Sequence, residues 1–599
     1  MNNQPIDIFE YITKEETKYQ TAVKIIDGWN WSMKEHITTS IFYKNGQLTT
    51  GNDVNKPVKN IILPILNLEY RAEDIDVKDI MLYVDDPNLY HLSFLVKKYH
   101  DDVFVVENDI DTFIDEEKEE NIDLGAVLVK DIDEAKPDIV HLQDIAFCNQ
   151  NDILSSPIGI LHLYSPDELK EMESRGWGEK VNGATNTIDE VIEFALNDKG
   201  DISGKDIKIY EVHGTLPDNY LQDQYKYTET KTYSRQFHVV CFYKDDKGDR
   251  KGMVLFRAKE DKSPFKLDKR DKIHNRACGR GGIEELFEDQ VWINYTQIQK
   301  KNLLDAASKV ILQTDDDQLQ ARHPTGLKGM KNLEILTVDD GKKVGQVDSY
   351  PRNIALFDKW DEEWLDHARS TGAAQEAIMG EAPKANTPFK SVEFQSAESH
   401  SLHNYRIGKH AKFLEEIYRD WFIPYIIKQI TKGTKWLSTL ELDDMQKIAE
   451  NLSIKRSNQK IVDKILAGEI IDPEEIEAFK EETREEFMKD NKKFIEIIKD
   501  EFKNAPIAVK INISGKQKDM ASYTDKLVNV FRQIIGSVDP NTGQSALDDP
   551  KLSKLFNEII EGAGLSPIDF GSTPKKPQLQ QPAQIPQQEA PINNLTQQV

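Results

Sequence analysis

The stretch GRGGIEELFEDQVWINYTQIQKKNLLDAAS, residues 279–308, decides how the rest of the chain is read. Glycines at Gly279, Gly281 and Gly282, with Arg280 between them, allow a tight or positive-φ turn, and the residues that follow contain neither glycine nor proline. Ile283, Leu286, Phe287, Val291, Ile298 and Leu304 recur at spacings near three and four, while Glu284, Glu288, Gln299 and Lys300 occupy other faces. That pattern predicts an amphipathic helix of ~23 residues, ~34 Å long at 1.5 Å per residue. From Ser308 to Pro351 the character changes. VILQ, LEILTV and KKVGQVDSY are short extended runs separated by DDD, HPTG and DDG, which is turn chemistry, and together they predict a small β unit.

Helical spacing returns at Ile354, Phe357, Trp364, Leu365 and Ala368 and ends near Gly372. Asp358, Asp361, Glu362, Glu363 and Asp366 give this second helix an acidic surface. AIMGEAPKANTPFKS then holds Gly380, Pro383 and Pro388 and so cannot be one helix. A long helical stretch begins near Val392, with apolar positions from Leu402 to Ile426, and Pro424 should kink it.

Helix, small β insert, helix, loop and very long helix is an order that resembles the portal proteins of tailed bacteriophages, the head-to-tail connector family. The residues that carry the resemblance are GRGGIEELFEDQVWINYTQIQ, STGAAQEAIMGEAP and SLHNYRIGKHAKFLEEIYRDWFIPYIIKQI, within a match over roughly residues 50 to 435. It implies an α+β subunit: an α/β wing over 1–278, a first stem helix over 279–307, a β-containing clip over 308–351 and a second stem helix over 352–372. A tunnel loop over 373–391, a long kinked spine helix over 392–435, and a wing return with a helical crown over 436–570 complete it. It further implies a ring of identical subunits, a homododecamer, at one capsid vertex of the virion, assembled in the host cytoplasm. Double-stranded DNA would be packaged and ejected through that ring, and the terminase large subunit, head-completion and tail adaptor proteins and the major capsid protein would dock on it. On this sequence the implied channel residues are Lys384, Asn386 and Lys390 of the loop, with Asp358, Asp361 and Glu362 as an acidic lumen. Lys328, Lys331, Lys342 and Lys343 of the clip would meet partners, and Gly279, Arg280, Gly281 and Gly282 would form the turn into the stem.

Composition constrains the alternatives. A chain of 599 residues with a formal net charge of −27 does not wrap duplex DNA by general basic attraction, which needs Lys and Arg to neutralise phosphates. An acidic lumen through which DNA slides is compatible with that charge, because repulsion prevents sticking. Cys148, Cys241 and Cys278 are widely spaced with no CxxC pair, so neither a zinc site nor a disulfide framework is expected. No secretory signal and no long apolar run is present, and a soluble chain with no membrane partner is expected.

The first 278 residues read as a mixed wing. Glu10 to Ser40 is mostly helical in pattern, and Leu89 to Phe113 reads as a long helix with DEEKEEN as its solvated end or the loop beyond. Strands are expected at Gly125–Lys130, Asp138–Leu142, IKIYEVHG, FHVVCFYK and GMVLFRAK, with GDRKGM as a hairpin turn. Ser165 followed by Pro166 is a helix start, and a further helix covers Thr187 to Leu196. Lys262, Lys266, Lys269, Arg270, Lys272, Arg276 and Arg280 form a basic run, either a solvated loop or a contact with DNA phosphates or an acidic neighbouring subunit. His400, His403 and His410 on the spine read as polar surface. Residues 438–503 are helical and charged, IAVKINIS reads as a strand, and helices are expected at Tyr523–Ile535 and Lys551–Glu561. Residues 571–599, with 5 Pro and 8 Gln, lack the apolar side chains of a core and are expected to be disordered.

No catalytic or cofactor motif is found: no phosphate loop, HExxH or GxSxG. Adjacent His274 and Asn275 invite comparison with a nuclease, but the signal is two residues long. The alternatives to a portal are a nuclease-like DNA-processing enzyme and a virion scaffold or adaptor without a channel.

Overall fold

The computed structural model describes residues 7–46, 57–77, 80–83, 89–132, 134–155, 157–178, 187–196, 206–221, 232–244, 250–308, 311–322, 337–347, 354–372, 401–432, 440–470, 472–489, 496, 498, 501–502 and 508–511. Lys328, Lys331, Lys384, Asn386, Lys390, the segment 373–391, the helices expected after residue 522 and the tail 571–599 lie outside them. The chain is α+β and divides into two units. One comprises Met1–Met81, Tyr99–Ile426 and Val509–Asp519; the other comprises Leu82–Lys98, Ile427–Ala508 and Met520–Val599.

In the larger unit a five-stranded antiparallel sheet runs in the order Arg250–Lys259, Tyr233–Lys244, Ile207–Pro217, Ile158–Tyr164, Ile145–Phe147. Strand side chains alternate between faces, and here both faces are apolar. Ile207, Ile209, Val239, Cys241 and Leu255 pack with the helices Pro166–Glu171 and Thr187–Leu196, while Tyr210, Val212, Val240, Phe242 and Val254 pack with the helices Ile8–Tyr19 and Met33–Lys44. The expected start at Ser165 is a capping box: its hydroxyl accepts from the Glu168 N–H, and the Glu168 carboxylate accepts from the Ser165 N–H. A second sheet pairs Phe265–Lys269 with Ala126–Lys130 and that strand with Asp138–Val140.

Three local readings are corrected. Glu10 to Ser40 is not one helical region: Val23–Ile26 and Trp29–Trp31 form a hairpin around Asp27 and Gly28, whose φ of 85° suits the turn. β-Branched residues beside an Asp-Gly pair carry that hairpin signal. DEEKEEN is not a loop but part of a helix with one solvated face, on which Asp115, Glu116 and Glu119 are exposed. The helical run Tyr90–Tyr99, His100–Phe104, Val105–Asn108 stops at Asp109, which is left-handed at φ 53°, and restarts as Ile110–Leu124, with Glu117 and Lys118 buried. Arg250 to Met253 of GDRKGM lie within a strand, where Arg250 pairs with Lys244.

The helix predicted at residue 283 runs Gly282–Ala307, 26 residues, about 39 Å. Ile311–Thr314 and Val344–Val347 pair antiparallel, as expected of the insert, with a short helix Leu319–Arg322 between them. The second helix is Ile354–Thr371. The described part of the spine is Ser401–Ile417, a π-helical turn Tyr418–Phe422, and Ile423–Lys432. Pro424 has no N–H to offer the carbonyl of the preceding turn, and the wider turn sits directly before it.

In the smaller unit the helix Leu442–Ala467 ends at Gly468, φ 73°, and Pro473–Lys489 begins at Asp472, whose carboxylate accepts from the Glu474 N–H at 3.0 Å. Ile448, Leu452 and Phe487 are buried there. The strand Ala508–Ile511 is not a member of the five-stranded sheet.

Candidate functional site

The site begins at the turn that launches the helical pair. Gly279, Gly281 and Gly282 do not adopt positive φ; the left-handed residue is Gly125, at φ 74°. What the three glycines supply is room. A Cβ on Gly279 would lie 2.7 Å from the Gly125 carbonyl oxygen, one on Gly281 2.7 Å from the Gly125 nitrogen, and one on Gly282 2.7 Å from Leu66 Cδ2. The Gly125 carbonyl accepts from the N–H groups of both Arg270 and Gly279, and Arg280 N–H donates to the Asp271 carbonyl. Two backbones thus touch where the strand Ala126–Lys130 starts and the long helix leaves.

Around this contact lies a buried network of charges. Arg270 donates through both Nη atoms to the two Glu73 oxygens, each at 2.7 Å, and through Nη2 to Glu69 at 2.8 Å. Glu69 and Glu73 sit four apart, one turn along the helix Ile62–Ala72, so both face Arg270. Lys118 approaches Glu73 at 3.3 Å, and His403 Nδ1 lies 3.0 Å from Glu73. Arg406 donates to Asp271 at 2.8 Å and to Glu285 of the first helix at 2.8 Å, which ties the spine to the foot of the pair. Arg276 forms a two-pronged pair with Glu284 at 2.8 and 2.7 Å and lies over the Trp31 ring. Burial pushes the Glu69 carboxyl up to about 7, more than Arg270 pulls it down. Burial opposes ionisation of Glu73 too, but the hydrogen bond from His403 and the charges of Arg270, Lys118 and Arg406 together hold it below the usual carboxylate range.

This overturns one sequence reading at Arg270 and Arg276 and another at His403 and His410, while Lys262, Lys272 and Arg280 of the basic run are exposed. Arg270 and Arg276 belong to no solvated loop and no DNA-facing patch: they are buried and paired with carboxylates of the same subunit, while Lys266 pairs with Asp420 and Lys269 approaches Asp152. His403 and His410 are buried rather than polar surface, each facing carboxylates. Apart from Glu284, eight residues from Arg276, the partners of these buried residues stand far away in sequence, which is why spacing alone did not find them. The signal that could have found them is the spacing of three, four and seven among His403, Arg406 and His410, one face of one helix.

Above the foot, contacts descend one helix as they climb the other, so the pair is antiparallel. Asp289 meets His367 at 2.6 Å, Trp292 stacks on Trp364, and Asp361 accepts from Gln297 and Lys300, each at 2.5 Å. Asp361 is therefore no open surface carboxylate: 7% of its side chain is exposed, between the helices. Asp358 pairs with Lys300 at 2.8 Å and remains exposed, as does Glu362. Trp292, Tyr295 and Trp360 are 38%, 53% and 46% exposed and form, with Trp364, an uncovered aromatic face across both helices. In the insert Lys342 lies 3.6 Å from Asp339 and 3.8 Å from Asp316, and Lys343 is exposed. His274 and Asn275 occupy an exposed turn, with Asn275 at φ 58°. Among the described residues no group of three His, Cys, Asp or Glu side chains could hold a metal ion, and no helix is long and apolar enough to cross a membrane.

No protein-family model and no curated protein sequence matches the chain. Among solved structures, a chain from the neck of an empty gene transfer agent particle is similar at 6% identity, with 72% of this chain and 96% of that chain covered and a TM-score of 0.32. A chain from the virion of a native gene transfer agent particle is similar at 9% identity, with 78% and 98% covered and a TM-score of 0.27. Likenesses this distant assign no function.

Proposed function

We propose that the chain is a portal-type subunit of a phage-like virion, a homododecameric ring that conducts double-stranded DNA and performs no chemistry of its own. The observation that supports it is the helical pair: two antiparallel helices leave a mixed wing at one rooted turn, carry a paired-strand insert at their far end, and keep an aromatic face uncovered. A monomer has little use for four adjoining aromatic rings in water, whereas side-by-side subunits would bury them. In this reading the pair is the stem and Asp358 and Glu362 contribute the negative lumen, but Asp361 does not. Lys342 and Lys343, with Lys328 and Lys331, would meet terminase and adaptor proteins, and Lys384, Asn386 and Lys390 would touch passing DNA.

Electron microscopy of the purified full-length protein tests the reading. A ring with a central hole is expected. A compact monomer across a range of concentrations would overturn it, and an assembly without a channel would favour a scaffold or adaptor. Crosslinking from position 384 to packaged DNA then tests the loop, and labelling of that position on the outer wall of the ring would overturn its role.

A further inference from the structure

His410 lies on the helix Ser401–Ile417 and is buried. Its Nδ1 is 3.0 Å from Asp268 Oδ2, on the strand Phe265–Lys269, and its Nε2 is 2.9 Å from Glu117 Oε2, on the helix Ile110–Leu124. The Glu117 contact is close but lies off the N–H axis, so it is an ion pair rather than a hydrogen bond. A neutral imidazole carries one N–H and one lone pair, and could satisfy only one of these carboxylates. Its lone pair would face the other across 2.9 or 3.0 Å in a buried site. With both carboxylates ionised, only the imidazolium suits both.

We propose that His410 is a protonated clamp, coupling one bound proton to the seating of the helix Ser401–Ile417 against the strand Phe265–Lys269 and the helix Ile110–Leu124. The other charges around it leave that role to the histidine. Lys118, beside Glu117, is turned to Glu73 at 3.3 Å, and Asn121 donates to Asp268 at 3.0 Å. On the clamp's own helix, Arg406 and Lys409 are directed at Asp271. Burial alone would disfavour the charged ring, but Glu117 and Asp268 outweigh it and raise the His410 pKa. All the contacts lie within one subunit, so the clamp stands whether or not subunits form a ring.

The sign follows from linkage. The seated helix binds the proton more tightly than the unseated one, so the clamp's contribution is complete below the ordinary histidine value of about 6.5 and is lost as pH rises through the raised value. Between those limits the local opening constant rises up to about tenfold per pH unit, one proton's worth.

Hydrogen exchange of the full-length protein, corrected for intrinsic rates, reads this directly. Protection over 401–417 should fall up to about tenfold per pH unit above about pH 6.5, while protection over 187–196, a helix without histidine, stays level. The Glu117→Gln variant should shift that fall to lower pH. The double variant His410→Gln with Glu117→Gln, which avoids leaving Glu117 charged and unpaired, should abolish it. Level protection over 401–417 in the wild-type protein would overturn the clamp, as would an unchanged fall in the double variant.

Discussion

The root of the helical pair and the helical hairpin at Leu442–Ala467 and Pro473–Lys489 draw on the same residue types to opposite effect. At the root, Arg270 sits between Glu69 and Glu73 with about 1% of any of these side chains exposed. In the hairpin, Lys460 and Lys464 meet Glu475, and Lys480 and Arg484 meet Glu450, all on wet surface. Water screens the second set and would replace each partner if it left. At the root nothing replaces a lost partner, so each charge fixes the position of the others. An ion pair's structural weight is set by the water denied to it, and a count of pairs would have ranked these regions as equals.

Removing Arg270 should have the largest effect. Arg270→Met leaves Glu69 and Glu73 buried without their main partner and should cost about 3–5 kcal/mol in denaturant unfolding followed by tryptophan fluorescence. A loss no greater than in a hairpin variant would break the comparison. Gly281→Ala comes next, at about 3 kcal/mol, because its Cβ meets backbone that cannot yield. Gly468→Ala sharpens the point: its site is open space and only its positive φ resists, so about 1 kcal/mol is expected.

Asp361→Asn should cost about 2 kcal/mol, since Lys300 and Gln297 lose a charged acceptor between the helices. Glu362→Gln on the exposed face should leave thermal stability unchanged and, on the proposed portal reading, alter only DNA transit. Glu69 gives a pH signature. Its carboxyl holds a proton more readily folded, at about 7, than the ordinary 4.5, so stability should fall as pH rises between those values. Glu69→Gln should flatten that slope, and an unchanged slope would mean another group titrates there. The smallest effect belongs to the hairpin: Lys464→Ala should melt with the wild-type protein.

Some elements were legible early. The helix Gly282–Ala307, the helix start at Ser165 and the helix Thr187–Leu196 each rest on a local rule, and the structure shows them where those rules put them. The hairpin Val23–Ile26 and Trp29–Trp31 carried an equally local Asp-Gly signal that the helical reading of its flanks overrode.

Periodicity, capping and turn chemistry act between residues a few positions apart, so the amino-acid order by itself determined where several helices and strands lie, and that two long helices flank a paired-strand insert. It could not say which charges are dry. Glu117 and Lys118 of DEEKEEN, Arg270 and Arg276 of the basic run, His403, His410 and Asp361 all looked like surface, because in sequence a charged residue shows its neighbours and not its solvent. Only the tertiary structure decided that Glu117, Lys118, Arg270, His403 and His410 meet inside one root. Burial and most of the pairing are properties of segments distant in the chain, brought together where Gly125 and Gly279 touch.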